Sequence, residues 1–252
     1  MTQAAVERLA QAASTKTPCA PVRDLIGRDD VSTAYAVQQA LTARRVAAGG
    51  RIVGRKIGLT STAVQEQLGV DRPDFGVLFA DMEVAEGNAV PAGVLLQPKV
   101  EAEVAFILGR DLDGGVDVRD AVAYVVPALE IVDSRIAGWD ISFADTVADN
   151  ASSGLFVLGD RRATLAEVEP ASVEMTLRLN GEVVSEGSGK ACLGDPLEAL
   201  AWLARTAREF GEPLRAGQIV LSGALGPMAA VTSGDRVDAE ISGLGRVAVA
   251  FS

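Results

Sequence analysis

Hydrophobic and polar positions divide the chain into a helical first part and a strand-rich remainder. The Ala/Gln/Arg-rich stretch from 32 to 48 places apolar residues on one helical face and runs into Gly49-Gly50, which is typical of a helix end. Later in the chain, short apolar runs alternate with Gly, Pro and Asn. The pattern predicts an α+β fold with a small, mainly helical part over 1–75 and a β-rich mixed roll or barrel over 76–252.

Two connections in the second part have specific signals. Asn180-Gly181 suits the positive φ angles of a type I′ hairpin turn. Asp195 followed by Pro196 predicts the start of a helix that ends before Gly211. Other predicted elements are strands over 51–58, 99–108 and 127–132, a short helix over 62–68 and a helix over 116–125, and the chain closes with strands over 218–222, 236–241 and 246–252.

Composition removes several classes of chemistry. The 252 residues contain 23 Lys and Arg against 34 Asp and Glu, so a net charge of -11 argues against nucleic acid as a partner. There is no histidine, which excludes a Ser-His-Asp triad and His-ligated zinc. Two cysteines cannot build a disulfide framework. The chemistry must therefore use carboxylates, Lys, hydroxyl groups, the backbone or a hard metal ion.

Features of targeting and nucleotide binding are also missing from the sequence. The first thirty residues carry charges and no long apolar core, and the most apolar stretch, 121–132, contains Pro127 and Glu130 and is too short for a membrane span. The Gly187–Lys190 segment lacks the remaining positions of a phosphate-binding loop. We expect a cytoplasmic protein with no membrane partner and no nucleotide cofactor.

The strand predicted from Lys99 to Leu108 carries two carboxylates on one face. Because side chains alternate along a strand, Glu101 and Glu103 point the same way, away from the apolar residues between them. Like charges this close repel unless something neutralises them, and carboxylate oxygens suit Mg²⁺ or Mn²⁺. The alternative is an edge strand whose polar end meets water.

A third carboxylate interrupts the next apolar strand. Glu130 lies within Pro127–Asp133, where an unpaired buried charge is costly, so it needs a cation, an arginine or a proton. Arg135 is the alternative partner in the sequence. If Glu130 instead joins Glu101 and Glu103, one ion accounts for all three carboxylates and keeps open positions for a chelating substrate.

Three further polar positions are candidates for the site. Lys56 lies between Gly54 and Gly58, which suggests a closely held ammonium, although a lone lysine is usually solvated. Asp74, in a Pro-Asp-Phe-Gly run, resembles an ordinary turn. The polar segment over 145–154 is predicted as a loop of Asx turns, with a polar site wall as the alternative.

Several long motifs in order give the chain a resemblance to the 2-keto-4-pentenoate (2-hydroxypenta-2,4-dienoate) hydratase family, within the fumarylacetoacetate-hydrolase-like superfamily. The resemblance covers nearly the whole chain. It is carried by the segments over 54–60, 68–76, 97–103, 127–135, 145–152 and 221–228. The resemblance implies a fumarylacetoacetate-hydrolase-like β roll and a homo-oligomer that depends on Mg²⁺ or Mn²⁺.

The same resemblance implies an activity and a site. Members add water to 2-hydroxypenta-2,4-dienoate to give 4-hydroxy-2-oxopentanoate, late in the meta-cleavage breakdown of aromatic compounds. By position in the motifs, the implied metal ligands are Glu101, Glu103 and Glu130. Lys56, Asp74 and Ser152 match the residues proposed in the family to handle protons and substrate.

Two other functions are weighed against hydration. A 4-oxalocrotonate-type 2-oxo acid decarboxylase shares the scaffold and the metal glutamates, but its usual counterpart of the Pro73–Gly76 run lacks the aspartate, so Asp74 favours hydration. A non-enzymatic subunit that supports a neighbouring enzyme is the third possibility. Hydrolytic members use a histidine base, which this chain lacks.

Overall fold

The computed structural model describes residues 2–61, 65 and 72–252. The helix predicted over 62–68 lies outside the described residues apart from Gln65. The described helices are α1 Thr2–Thr15, α2 Arg23–Ile26, α3 Val31–Ala47, α4 Val118–Ala121, α5 Phe143–Ala148 and α6 Pro196–Glu209. The strands are β1 Ile52–Gly58, β2 Asp74–Phe79, β3 Ala89–Val90, β4 Lys99–Leu108, β5 Val122–Val132, β6 Ser153–Leu158, β7 Glu174–Leu179, β8 Glu182–Ser188, β9 Ile219–Leu221, β10 Ala229–Ala230, β11 Arg236–Ile241 and β12 Gly245–Phe251.

The strands form two mixed sheets. The larger sheet has the order β2-β1-β9-β4-β5-β6, with β10 paired to β4, and the smaller has the order β3-β12-β11-β7-β8. β1 and β9 run parallel, whereas β4 is antiparallel to both β5 and β9. The α+β class and the mixed-strand architecture predicted from the sequence are confirmed.

The N-terminal helices pack onto the elements that carry the polar candidates. α1 buries its apolar stripe against α3, and Asp30 caps α3 by accepting a hydrogen bond from the Thr33 amide. The buried side-chain amide of Gln38 donates to the carbonyls of Phe75 in β2 and Val147 in α5, both at 2.9 Å. The boundary near residue 75 stays a prediction, and β1, which precedes it, pairs with both β2 and β9.

The alternation predicted for β4 is confirmed by the two apolar clusters on either side of the larger sheet. Val100, Ala102, Val104 and Phe106 belong to the main core between the sheets and helices. Ala105, on the face that carries the glutamates, belongs to the second cluster. The glutamate face therefore changes from charged to apolar along the strand.

One predicted element is wrong and one turn is confirmed. The helix expected over 116–125 is a single turn, α4, after which β5 begins at Val122 and pairs with β4. Valine and tyrosine favour the pleated, half-buried surface that this pairing offers, so tertiary contact overrides the helical pattern. Asn180 and Gly181 have φ angles of 54° and 88°, as a type I′ hairpin requires. None of the helices in the described ranges combines the length and apolar character needed to traverse a lipid bilayer.

Candidate metal and substrate site

Strand pairing brings five of the six predicted site residues onto one face of the larger sheet. Glu101 of β4 lies opposite Glu130 of β5, and Glu103 follows two residues along. Lys56 of β1 is in register with Leu221 of β9, which is itself in register with Ala105 on the glutamate face. Asp74 begins β2 opposite Gly58, two residues from Lys56. These contacts join segments that are distant in the chain.

The three glutamates form one buried cluster. Each can offer a carboxylate oxygen that lies within 4.8 Å of those of the other two, and the relative exposure is 8% for Glu101 and 0% for Glu103 and Glu130. The edge-strand alternative is wrong, because β4 lies inside the sheet between β5 and β9. A set of buried, mutually close oxygens of this kind is suited to a hard divalent cation.

Several oxygens in the cluster lack partners. Glu103 Oε2 accepts a hydrogen bond of 2.7 Å from the amide of Gly223, whose φ of 102° favours glycine. Glu103 Oε1 and Glu130 Oε2 accept no hydrogen bond from any described residue, although both are buried. A buried carboxylate oxygen without a partner is costly, so the site fits a ligand that would supply the missing charge.

Glu130 is paired with lysine and not with arginine. Lys56 Nζ lies 3.1 Å from Glu130 Oε1, and both side chains are at most 4% exposed. The alternative partner, Arg135, directs its Nε to Asp149 Oδ1 at 2.6 Å. The Glu130–Arg135 pairing weighed from the sequence is therefore wrong, and the closely held ammonium expected of Lys56 is observed.

Burial and neighbouring charges shift the pKa values of the three glutamates and of Lys56. Desolvation, reinforced by repulsion from Glu130, raises the pKa of Glu101 to about 7 and raises that of Glu103 well above its usual range. Desolvation also raises the pKa of Glu130, against the opposing effect of Lys56. For Lys56, burial lowers the pKa, but attraction to Glu130, Asp74 and the other two glutamates outweighs it and the net shift is upward.

Asp74 is a strand residue and not part of an isolated turn. It is 1% exposed, and desolvation raises its pKa to about 6 although Lys56 opposes the shift. A Cβ at Gly58 would lie 2.2 Å from Asp74 Oδ1, so glycine is needed for the carboxylate to approach β1. The turn favoured from the sequence is wrong because Asp74 pairs with Gly58 across the β1–β2 ladder.

The 145–154 segment is a helix followed by a strained turn. Ser142 and Asp145 form a capping box that starts α5, which replaces the loop expected from the sequence. Asn150, Ala151 and Ser152 then have φ angles of 55°, 52° and 52°. Left-handed residues that are not glycine are uncommon and need support from their surroundings.

The side chain of Asn150 anchors the left-handed turn, and this turn positions Ser152. The Asn150 side chain accepts from the amide of Val77 at 2.8 Å and donates to its carbonyl at 2.9 Å, which ties the turn to β2. The Ser152 hydroxyl lies 3.1 Å from that of Thr146. Part of the segment is thus a polar wall, the alternative weighed from the sequence.

A cavity of about 260 Å³ opens beside the glutamate cluster. Its polar lining includes Lys56, Asp74, Glu101 and Ser152, while the fully buried Glu103 and Glu130 lie behind it. The rest of the described lining is largely apolar, with Ile57, Leu59, Val132, Trp139, Ile141, Ala224 and Met228 among its members. The cavity combines a charged end with an apolar wall, as expected for a small organic acid.

Sequence reasoning missed several lining residues. Lys99 and Thr146 line the cavity, and Gly223 contacts Glu103 from the loop after β9. Lys99 could have been found, because strand alternation places it on the same face as Glu101. Thr146 lies in the 145–154 segment that was weighed as a polar wall, but neither Thr146 nor Gly223 has an individual signal, since their positions depend on packing between distant segments.

The chain resembles known proteins along its full length. A sequence profile of the family described as fumarylacetoacetate (FAA) hydrolase C-terminal matches residues 51–251. The chain is 55% identical over 255 residues to 2-keto-4-pentenoate hydratase 1 of Dechloromonas aromatica (strain RCB), covering 100% of this chain and 97% of that protein. It is 54% identical over 251 residues to the 2-keto-4-pentenoate hydratase of Paraburkholderia xenovorans (strain LB400), covering 98% of this chain and 93% of that protein.

A solved structure extends the similarity to the fold. The 4-oxalocrotonate decarboxylase from Pseudomonas putida G7, complexed with magnesium and adipate, superposes with a TM-score of 0.94 at 35% identity. The match covers 100% of this chain and 97% of that one. The fumarylacetoacetate-hydrolase-like architecture expected from the motifs is thereby confirmed.

Proposed function

This chain belongs to the fumarylacetoacetate hydrolase family, and on that premise we propose that it is a metal-dependent hydratase that converts 2-hydroxypenta-2,4-dienoate to 4-hydroxy-2-oxopentanoate. Relatives at 54–55% identity over nearly the whole chain are 2-keto-4-pentenoate hydratases, and the chain covers 93–97% of their lengths. The observation that carries the proposal is the cluster of three buried glutamates with partnerless oxygens at the charged end of a cavity sized for a small organic acid.

Glu101, Glu103 and Glu130 would hold the divalent ion. Their hard oxygen donors suit Mg²⁺ or Mn²⁺, and such a ligand would satisfy the buried partnerless oxygens of Glu103 and Glu130. When bound, the ion supplies Lewis-acid stabilisation of negative charge on the 2-oxygen of a 2-oxo acid. The magnesium in the related decarboxylase structure supports a divalent ion of this kind.

Asp74 and Lys56 are suited to the proton transfers. The reaction needs a proton at the far carbon of the dienol, addition of water at the fourth carbon, and a proton at the third carbon. Asp74, with a pKa raised by burial to about 6, is largely ionised at neutral pH but basic enough to orient and activate water. Lys56 Nζ keeps donor capacity beyond its contact with Glu130 and can hydrogen-bond the water or substrate oxygen involved in these transfers, although its raised pKa opposes release of its own proton.

Ser152 is suited to positioning and not to nucleophilic attack. Its hydroxyl is hydrogen-bonded to Thr146, and the chain has no histidine to act as its base. The left-handed turn over Asn150–Ser152 holds this hydroxyl at the cavity wall, where it can accept from or donate to a water or a substrate oxygen.

The experiment follows the fate of the dienoate in heavy water. Purified protein with Mg²⁺ should remove 2-hydroxypenta-2,4-dienoate and form 4-hydroxy-2-oxopentanoate with deuterium at the third and fifth carbons, as measured by NMR. Asp74→Asn should slow turnover by about 100-fold or more while Mg²⁺ binding is retained, because general acid–base groups contribute factors of this size. Absence of the hydroxy acid with the wild-type protein would contradict the proposal.

Decarboxylation of 4-oxalocrotonate is the second candidate. It is favoured by the TM-score of 0.94 to the decarboxylase, whose bound adipate is a dicarboxylate. Incubation with 4-oxalocrotonate, with release of carbon dioxide as the measurement, separates the two activities. A faster release of carbon dioxide than formation of hydroxy acid would assign the chain to decarboxylation.

The proposal extends to the setting of the enzyme. A cytoplasmic homo-oligomer that acts in the breakdown of aromatic compounds fits the resemblance to pentenoate hydratases. Sedimentation analysis of the purified protein measures the subunit number, and a monomer would contradict the homo-oligomer.

A further inference from the structure

Lys99 is a second lysine at the cavity, outside the cluster already described. It is the first residue of β4, where alternation puts it on the same face as Glu101, about 7 Å away along the strand. Its Nζ lies 4.3 Å from the centre of the Trp139 ring, and both residues are partly exposed lining of the cavity. The ammonium is therefore held on an aromatic face at the outer end of the charged strand.

Trp139 is fixed in place by Gln97, which lies in the segment just before the strand that carries Lys99. The indole Nε1 donates to the carbonyl of Gln97 at 3.0 Å, and the Gly138 amide donates to Gln97 Oε1 at 2.7 Å. Gly138 and Trp139 both have positive φ angles, 65° and 57°, so the turn holds a conformation that needs such anchoring. Gln97 thus positions the indole, and Lys99, two residues further along the chain, supplies the ammonium that contacts it.

Lys99 is the more available of the two cavity lysines. Lys56 is engaged with Glu130 at 3.1 Å and is almost fully buried. Among the described residues, Lys99 Nζ forms no ion pair within 4.0 Å; its direct contact is with the indole face, and its charge acts on Glu101 only from a greater distance. A cation–π contact at a partly exposed site is weaker than a charge-assisted hydrogen bond, so a carboxylate can displace it.

The net negative charge of the site is a second reason to assign Lys99 a role in binding an anionic substrate. Asp74 and the three glutamates carry four negative charges when ionised, and Lys56 leaves three of them uncompensated. A divalent ion would leave one, and an anionic substrate would still meet repulsion. Lys99 removes this last excess at the end of the cluster nearest the opening.

We propose that Lys99, presented by Trp139, binds the carboxylate of the incoming 2-oxo acid and makes the cavity selective for anions. The proposal rests on the proposed function, since it specifies how that substrate is recognised. It requires that the ammonium leave the indole face when a carboxylate binds. The movement provides a signal that does not depend on turnover.

The experiment measures binding of an unreactive probe by tryptophan fluorescence. The chain has two tryptophans, so Trp202→Phe leaves Trp139 as the emitter. In the Mg²⁺-loaded protein, 2-oxopentanoate should change Trp139 emission saturably, and Lys99→Met should raise the dissociation constant about 10- to 100-fold, the range for a hydrogen bond between charged groups. Lys99→Arg should keep most of the affinity.

Two controls isolate the carboxylate contact. Lys190→Met removes the same charge at an exposed position that does not line the cavity, so the affinity should stay within twofold of the parent. The uncharged 2-oxopentanamide should bind equally to Lys99 and Lys99→Met proteins. For the dienoate, Lys99→Met should raise KM by a similar factor with kcat little changed.

The outcomes separate this inference from the proposed function. Wild-type affinity for 2-oxopentanoate in Lys99→Met, an equal loss in Lys190→Met, or no binding by the Mg²⁺-loaded parent would overturn the role of Lys99. Lys99-dependent binding without hydration of the dienoate would instead overturn the proposed function and leave the anion site in place. Thermal unfolding of each variant confirms that the loss does not come from misfolding.

Discussion

Two groups of buried carboxylates in this protein have the same chemistry and opposite surroundings. The site glutamates (Glu101, Glu103 and Glu130) and the structural aspartates (Asp133, Asp145 and Asp149) are all at most 8% exposed. The site glutamates include oxygens without any partner among the described residues. The structural aspartates instead accept hydrogen bonds from amides, hydroxyls and arginines. Burial alone therefore does not distinguish a carboxylate that has a partnerless oxygen from one that is fully hydrogen-bonded.

The structural aspartates tie the N-terminal helices and loops to the roll. Asp145 accepts from the amides of Val22 and Arg23, both at 2.8 Å, and from the Arg23 guanidinium at 2.9 Å. Asp149 binds the amide and the Nε of Arg135 at 2.9 and 2.6 Å. Asp145 and Asp149 each pair with an arginine, and Asp133 accepts from the amides of Leu96 and Gln97, so these carboxylates are satisfied within the described part of the chain.

The described residues satisfy the site glutamates only in part. Lys56 offsets one charge, and the amide of Gly223 satisfies one oxygen of Glu103, but three carboxylates share this space. Local deviations from full hydrogen bonding are expected where a protein is built to bind something. The difference between the two groups can be tested by removing one charge from each.

The largest effects should come from neutralising one carboxylate in each group. Glu101→Gln should lower Mg²⁺-dependent turnover by at least about 100-fold, while the metal-free protein unfolds at the same or a higher temperature because repulsion is relieved. Asp149→Asn should lower the free energy of unfolding by about 3 kcal/mol, because the charge of Arg135 is left unpaired. Kinetics and thermal unfolding measure the two outcomes.

The opposite pattern would remove the distinction. If Glu101→Gln destabilised the metal-free protein as much as Asp149→Asn and retained Mg²⁺-dependent turnover, the glutamates would be structural. Asp149→Asn also serves as the matched control, since residual folded molecules should still bind Mg²⁺.

A second effect of intermediate size concerns pH and metal. Burial raises the pKa of Glu101 to about 7 and that of Asp74 to about 6, so their contribution to stability is present below their unfolded pKa values and is lost as the pH rises through these folded values. The metal-free wild type should therefore lose more stability between pH 4.5 and 7.5 than Glu101→Gln, apart from the changes common to both.

Divalent metal should reverse this trend. At a free concentration of about 100 times the dissociation constant, Mg²⁺ should stabilise the wild type by about 2.7 kcal/mol. At one fixed concentration of Mg²⁺, the stabilisation should be larger at pH 7.5 than at pH 5, because protons compete with the metal for the same carboxylates. Unfolding midpoints with EDTA and with Mg²⁺ at both pH values provide the measurement, and a metal effect equal at the two values would contradict the assignment.

The sequence was sufficient to predict where the site glutamates lie but not which carboxylates are satisfied. Strand alternation put Glu101 and Glu103 on one face, and an apolar strand made Glu130 unusual. The alternative of a Glu130–Arg135 pair was wrong, because proximity along the chain is a poor guide to pairing when Asp149 approaches Arg135 from another segment. Hydrogen-bond satisfaction is a tertiary property and has no local pattern.

The same limit applies to the wall of the cavity and to one element of the fold. Asn150 reaches across to Val77 of β2, a contact between residues far apart in sequence. The stretch over 116–125 has a helical pattern, yet pairing with β4 converts its second half to strand. The hairpin turn was predicted correctly, since the Asn180-Gly181 pair favours its positive φ angles without help from distant residues.

The smallest predicted effect concerns a partnerless group outside the site. Ser185 of β8 is 6% exposed, and its hydroxyl has no partner among the described residues. It is neutral and does not line the cavity, so Ser185→Ala should leave turnover unchanged and alter the free energy of unfolding by less than about 1 kcal/mol, in the stabilising direction. Ser142→Ala, which removes the cap of α5, should instead cost about 1 kcal/mol. Thermal unfolding of the two variants measures the contrast. If Ser185→Ala lost turnover, a buried polar group without a hydrogen-bond partner would indicate a functional residue in this fold even where no cluster of charges surrounds it.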